Sequence, residues 1–325
     1  MKILFVGDVM LGRLVNGVLR HNPPAYIWGD ILPTIKSANI KICNLECVIA
    51  NVGKPWPNKT FHFRTDPKNV QSLNIANFSP ISISNNHAMD FGPNALMQMI
   101  DIFKKESINF AGAGIDITEA FMPALENGAG NYVGMISFCD NMPQWEAAKN
   151  KPGIFYVPVD LKDRRAKRLL ELVKKTRDDV KILIVSAHWG SNWGYDVPKN
   201  HTPFAHALID AGADIIFGHS GHVFRGVEIY KGKLIIYCAG NFVDDYAVND
   251  VERNDESFIF ILDLDVKRSR IKKLTLTPTI IDNCQALLAS KDRAEIIAQK
   301  MQNLSKKLGT VFKINQKDFK LTLIL

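Results

Sequence analysis

Ile3-Leu4-Phe5-Val6-Gly7-Asp8 opens the chain with a short apolar, β-favouring run that stops at a glycine and a carboxylate. The same layout returns along the chain: an apolar run, an abrupt polar or ionisable residue, a turn, then a helical pattern. Ile40 to Cys43 ends at Asn44 and Glu46, and Ile81 to Ser84 ends at Asn86 and His87. Tyr132 to Phe138 ends at Asp140, Ile182 to Ala187 at His188, Asp214 to Phe217 at His219, and Leu234 to Ala239 at Asn241. Strands alternating with helices specify an α/β fold. In such sheets, sites gather beyond the carboxyl ends of the strands, where the sheet holds converging loops rigid. Residues far apart in sequence are therefore expected to meet in one cleft.

The intervening helices are expected at Asn94 to Lys105 after Pro93, at the amphipathic stretch Asp160 to Lys175, and at Pro203 to Ala211 before Gly212. After about Asp255 the texture changes. Phe258 to Leu264 and Ile271 to Ile281 read as two strands joined by a basic turn, Asp292 to Leu308 as a helix, and Phe319 to Leu325 as a last strand. No ligand cluster falls in this tail. Residues 1–250 are expected to form the core, with 251–325 completing the same domain or forming a small α+β lobe. No internal repeat, low-complexity stretch or linker divides the chain.

At 325 residues, with 46% hydrophobic and 22% charged, the composition excludes disordered and fibrous classes. The net charge of +7 and pI near 9.0 favour an anionic partner, small or polymeric. Much of the excess lies in short clusters, Lys162 to Arg168 and Lys267-Arg268-Ser269-Arg270, which read as a solvated helix face and a turn. No specific nucleic-acid partner is expected, because zinc-finger spacing and an aromatic RNA-binding signature are missing. Five cysteines, most of them inside apolar runs, point to free thiols and a reducing compartment. No stretch approaches the ~18 to 20 apolar residues of a membrane span, and no leader precedes the first strand, so a cytoplasmic protein is expected.

Gly218-His219-Ser220-Gly221-His222 supplies the strongest chemical signal: a strand end followed by two histidines on a glycine turn that can aim both rings at one point. Asp8, Glu46, Asn86 with His87, and His188 occupy the same slot at other strand ends. Each has an ordinary alternative, as helix cap, surface acid, turn or packed histidine, but their shared position favours a common site. Carboxylate, carboxamide and imidazole together suit one or two divalent ions of Mn, Fe or Zn, whereas calcium calls for more oxygen ligands. Two such ions can position a phosphate, generate hydroxide from water and stabilise a leaving oxygen.

Gly7-Asp8-Val9-Met10, Asn44-Leu45-Glu46, Asn85-Asn86-His87-Ala88-Met89-Asp90, His188-Trp189-Gly190, Gly218 to His222 and Gly240-Asn241-Phe242 follow one another in order. This series resembles the CapA family, named for poly-γ-glutamate capsule synthesis, within the calcineurin-like metallophosphatase superfamily. The resemblance implies four layers, two β-sheets face to face with helices outside. It implies Glu46 as the carboxylate bridging two metals, with Asp8 and His222 on one ion and Asn86, His188 and His219 on the other. His87 would lie near the phosphate with Asp90 as its partner. Arg13 is a candidate anion clamp, or equally a surface ion pair. The sequence departs from the wider pattern at Met10, where a histidine usually stands, and at Ser220-Gly221, where His-Pro is more common.

Metal-dependent hydrolysis of a phosphomonoester or phosphodiester is the expected function. The alternative is a CapA-like protein that binds or helps to make an anionic polymer, with little or no phosphatase activity. A less favoured third is amide hydrolysis. Trp56 and Phe61 to Arg64, Asn141 to Trp145, and Trp189 to Tyr195 are loop segments that could shape the pocket, although aromatic anchoring of the loops accounts for them at least as well.

Overall fold

Alternation along the strands decides the layering. The computed structural model describes residues 1–325 except Ala129 and Ser269, so the serine of the basic turn at 267–270 lies outside the described residues. In the strand Lys2–Val9, Ile3, Leu4, Phe5 and Val6 are all fully buried. Successive side chains point to opposite faces, so such a strand needs cover on both sides. Leu4 and Val6 share a core with Leu96, Met99, Ile100 and Phe103 of the helix Gly92–Lys105. Ile3 and Phe5 share another with Ile182, Ile184, Ile215 and Phe217 of a second sheet, Phe5 and Phe217 lying 5.2 Å apart by ring centroid. The far face of that sheet, Leu183, Val185 and Ile216, packs on Leu169 and Val173 of the helix Arg164–Arg177 and on Phe204 and Leu208 of the helix His201–Asp210. The expected four-layer α/β sandwich is the result.

In the first sheet, Lys2–Val9, Ile40–Leu45, Ile81–Ser82 and Phe110–Ala111 run parallel. In the second, Asn131–Cys139, Ile182–His188, Ile215–His219 and Lys233–Ile236 run parallel, with antiparallel edges Ala124–Gly128 and Val227–Tyr230. The run expected as one strand from Leu234 to Ala239 ends early. Gly240, at φ +78, lets the chain turn across to the first sheet, where Asn241–Val243 pairs parallel with Lys2–Val9.

The tail strands Glu256–Asp265, Arg270–Asp282 and Leu321–Ile324 extend the first sheet by antiparallel pairing, beginning on Lys2–Val9. The helix Lys291–Lys306 departs from the helices-outside expectation. Its Ala294, Ile297, Ala298 and Met301 enter the core between the sheets, closing the side beyond the edge strand Val227–Tyr230. The helix expected from Asp160 starts at Arg164, because Asp163 caps it by accepting from the Arg165 amide at 2.7 Å. Among the described residues no helix is long and apolar enough to cross a membrane.

Gly7 lies where the segment that crosses over from the second sheet docks on the first strand. A Cβ built there would lie 1.8 Å from the Gly240 carbonyl oxygen, beside the 2.9 Å hydrogen bond from the Asp8 amide to that oxygen. Neither backbone can yield without breaking the pairing. Gly7→Ala is expected to cost at least about 2 kcal/mol in urea denaturation; a loss below about 0.5 kcal/mol contradicts this packing.

Candidate metal centre

Strand register gathers the ligands. Asp8 lies opposite Asn44 and Asn241 in neighbouring parallel strands, and His188 lies opposite His219. Asp8 Oδ1 accepts from Asn44 Nδ2 at 2.8 Å, and Oδ2 accepts from the Ser220 amide at 3.2 Å. That second bond ties the histidine turn of the second sheet to the first strand of the other. Ser220 and His222 both take left-handed backbone, at φ +98 and +56, a strain that the surrounding contacts must hold. Asn85 locks the next ligand turn: its Nδ2 donates to Asn44 Oδ1 and the Leu45 carbonyl, and its Oδ1 accepts from the His87 amide.

All six residues named as metal ligands from sequence converge. Asp8, Glu46 and His222 each offer a ligand atom within 4.8 Å of the others, and so do Asp8, His188 and His219. Asn86 Oδ1 sits 2.9 Å from His188 Nε2, and His188 Nδ1 lies 2.9 Å from His219 Nδ1. Asp8 is common to both groups, whereas the resemblance implies Glu46 as the shared carboxylate. Neighbouring groups set the rings. Ser186 Oγ meets His219 Nε2 at 2.8 Å and Asn241 Oδ1 meets His222 Nδ1 at 3.0 Å, leaving the opposite nitrogens turned to the site. Met10 is buried with its sulfur accepting from the Gly12 amide at 3.0 Å.

A cation fits the electrostatics. Both carboxylate oxygens of Glu46 are buried with no hydrogen-bond partner among the described residues. Burial, then the nearby Asp244, pushes the Glu46 carboxyl up to about 8. Burial, then Glu46, raises Asp8, and burial lifts Asp244 to about 7. The imidazoles move the other way: burial lowers His219 to about 3 and His188 well below its usual range, holding both as neutral donors of a lone pair. Neutral nitrogens around uncompensated carboxylates make a site for a divalent ion.

His87 stands beside this centre. Its Nδ1 is 2.6 Å from Asp90 Oδ2, which also accepts from the Phe63 amide at 2.6 Å, and the Phe63 ring stacks on the imidazole at 3.9 Å. Lys59 Nζ donates to Asp90 Oδ1 and to the Asn86 carbonyl and lies 3.2 Å from His87 Nδ1. A cavity of about 510 Å³ opens over these groups; Arg13 and Lys59 line it, together with Phe61, Asn86, His87 and His222, and no carboxylate does among the described residues. Arg13 lines the cavity and is paired with the buried side chain of Asp245 at 3.3 Å. Sequence reasoning missed Lys59, Asp244 and Tyr246. Lys59 sits in an irregular loop where a lysine gives no signal; the acidic pair Asp244-Asp245 closely follows Asn241 and could have been noticed.

The model of the family described as "Bacterial capsule synthesis protein PGA_cap" matches residues 2–246. The chain belongs to this family. It is 28% identical to a "probable polyglutamine synthesis accessory protein" of Mycobacterium tuberculosis, over 94% of this chain and 92% of the relative. It is 30% identical to "PGA biosynthesis protein CapA" of Bacillus subtilis, over 74% of this chain and 62% of that protein, and 28% identical to "Capsule biosynthesis protein CapA" of Bacillus anthracis, over 75% and 60%. A hypothetical protein from Thermus thermophilus shares the fold, with a TM-score of 0.52 at 17% identity over 86% of this chain and 98% of its own. The PGA_cap relatives are thus named for polymer synthesis, and no name among these states a hydrolytic activity.

The Glu46 charge gives a stability test. Its folded-state value lies above the ordinary 4.5, so its contribution is intact below pH 4.5 and is lost as pH rises towards 8. With chelator at pH 7, Glu46→Gln is expected to be more stable than the parent by about 2–4 kcal/mol. Added Mn²⁺ should stabilise the parent more than the variant. Equal stability of the two chelated proteins in urea denaturation contradicts a partnerless Glu46 carboxylate.

Proposed function

We propose that this chain is a divalent-metal protein that engages an anionic polymer of the poly-γ-glutamate kind at the centre around Asp8. The observation that carries this reading is the buried Glu46 carboxylate, without a hydrogen-bond partner among the described residues, clustered with His222, which lines a cavity whose described lining also holds two cations, Arg13 and Lys59, and no carboxylate. The relatives named for polymer and capsule synthesis support the same substrate class. Asp8, Glu46 and His222 would hold one ion, and Asn86, His188 and His219 would hold a second beside the shared carboxylates. A divalent ion supplies Lewis acidity and lowers the pKa of water, which is the chemistry of hydrolysis.

The chain's own groups then have separate tasks. Arg13, oriented by Asp245 and by the Phe63 and Tyr246 rings at 5.7 and 6.0 Å, presents its guanidinium to an anionic oxygen. Asp90 engages His87 Nδ1, so Nε2 is the nitrogen that exchanges a proton with the substrate. Lys59 offsets the Asp90 charge. The five free cysteines, four of them buried, favour a reducing compartment such as the cytoplasm.

Phosphoester hydrolysis is the second reading, favoured by the ligand series Asp8, Glu46, Asn86, His188, His219 and His222 converging with His87 alongside. Mn-loaded protein is expected to bind poly-γ-glutamate less tightly as salt rises, and Arg13→Ala should weaken binding roughly tenfold. If the centre is hydrolytic, Asn86→Ala and His188→Ala should each lower Mn-dependent cleavage of an aryl phosphate about 100-fold or more. Cleavage that survives in either variant removes that ligand. Polymer binding without cleavage leaves the first reading and removes the second.

A further inference from the structure

Arg225 is a fully buried guanidinium with no acidic partner among the described ion pairs. Burying a charge without a counter-charge is costly, and the donors it does use, Nε and Nη2, all serve one loop, while Nη1 has no hydrogen-bond partner among the described residues. Its three side-chain hydrogen bonds among the described residues go to backbone carbonyls of that loop: Nε donates to Gly194 at 2.9 Å, and Nη2 to Ser191 at 3.0 Å and to Trp193 at 3.2 Å. The near end of the loop is held by Asp140, whose Oδ2 accepts from the Gly190 amide at 2.9 Å. Gly190 and Gly194 take φ +82 and +94, the conformations that let the chain follow this path.

Arg225 also lies under the histidine turn. A Cβ at Gly221 would lie 3.1 Å from its Nη2. One rigid group thus registers the loop against the turn that carries His219 and His222. What the loop presents is Trp193, 45% exposed in spite of its size, lining the cavity with its ring 5.7 Å from that of His222. Phe61, 58% exposed, lines the same cavity. The backbone that carries Trp193 is fixed at four points while its indole stays open to solvent, which is the arrangement of a preformed contact surface.

We propose that Trp193 is a specificity-determining residue whose indole face stacks on the planar amide units of a carboxylate-bearing chain, and that Arg225 is the positioning residue that holds it beside the metal centre. This rests on the anionic-polymer reading above. Arg13 and Lys59 take carboxylates by charge, which any polyanion satisfies; a flat aromatic wall adds a preference for a chain with flat units between its charges.

The test is titration of Mn-loaded full-length protein with poly-γ-glutamate and with polyacrylate of matched length, which has carboxylates but no amides. The parent is expected to bind poly-γ-glutamate about tenfold more tightly. Trp193→Ala should erase that preference while keeping its metal content and polyacrylate affinity within about twofold, and Trp193→Phe should restore most of it. Arg225→Met should lower the preference too, and because this variant also tests folding, the Trp193 pair carries the decision. A preference that survives in Trp193→Ala, or a parent that binds both polymers equally, overturns the inference and leaves the anionic-polymer reading standing. A parent that binds neither polymer overturns both.

Discussion

An ionised carboxylate held away from water needs a counter-charge or several donors, and among the described residues neither Glu46 oxygen has a hydrogen-bond partner at ordinary geometry, while the Lys59 charge and the Tyr246 hydroxyl offset only part of the burial. The rest of the site is arranged around that deficit. Asp8 adds a second buried carboxylate and Asp244 a third, while His188 and His219 are kept neutral by burial instead of being charged to compensate. A protein that merely needed stability would place donors against the Glu46 oxygens, as it does against those of Asp8. Here the nearest basic residues serve other partners, Lys59 on Asp90 and Arg13 on Asp245. The missing positive charge is one that a divalent ion would supply under the proposal above.

That deficit can be built because two sheets pack face to face. Phe5 against Phe217 and Ile3 against its neighbours set the distance between the sheets, and the register within each sets what appears at their ends. The Ser220 amide on Asp8 then joins ligand turns that come from opposite sheets, and the Asp8 amide on the Gly240 carbonyl seats the crossing segment on the first strand. Arg225 does for the Trp193 loop what Asp90 does for the Phe63 loop: a buried charged group bonded to the loop's backbone fixes an aromatic residue relative to the ligands.

The convergence of Asp8, Glu46, Asn86, His188, His219 and His222 was legible because the first five end apolar runs and His222 shares the glycine turn of His219, and strand ends in an α/β sheet share one edge. The four layers followed from the family resemblance and agree with strands such as Ile182–His188 that are apolar on both faces. What sequence missed depends on tertiary placement. The apolar run from Leu234 to Ala239 conceals a crossing between sheets that only Gly240 marks. The amphipathic pattern of Lys291–Lys306 shows a helix but not that it closes the space between sheets. Lys59 lies in a proline-rich loop with no period at all, and its role comes from folding back onto Asp90. Arg225 did leave a trace, a lone arginine inside Val223-Phe224-Arg225-Gly226-Val227, which an apolar strand would exclude without a buried use for it.

Anomalous diffraction from crystals soaked in Mn²⁺ tests the central claim most directly. The predicted result is a peak among Asp8, Glu46 and His222, with a second among Asp8, Asn86, His188 and His219, and with Glu46 oxygens in the coordination shell. No peak at saturating Mn²⁺, with Glu46 instead hydrogen-bonded to protein or ordered water, would contradict the account.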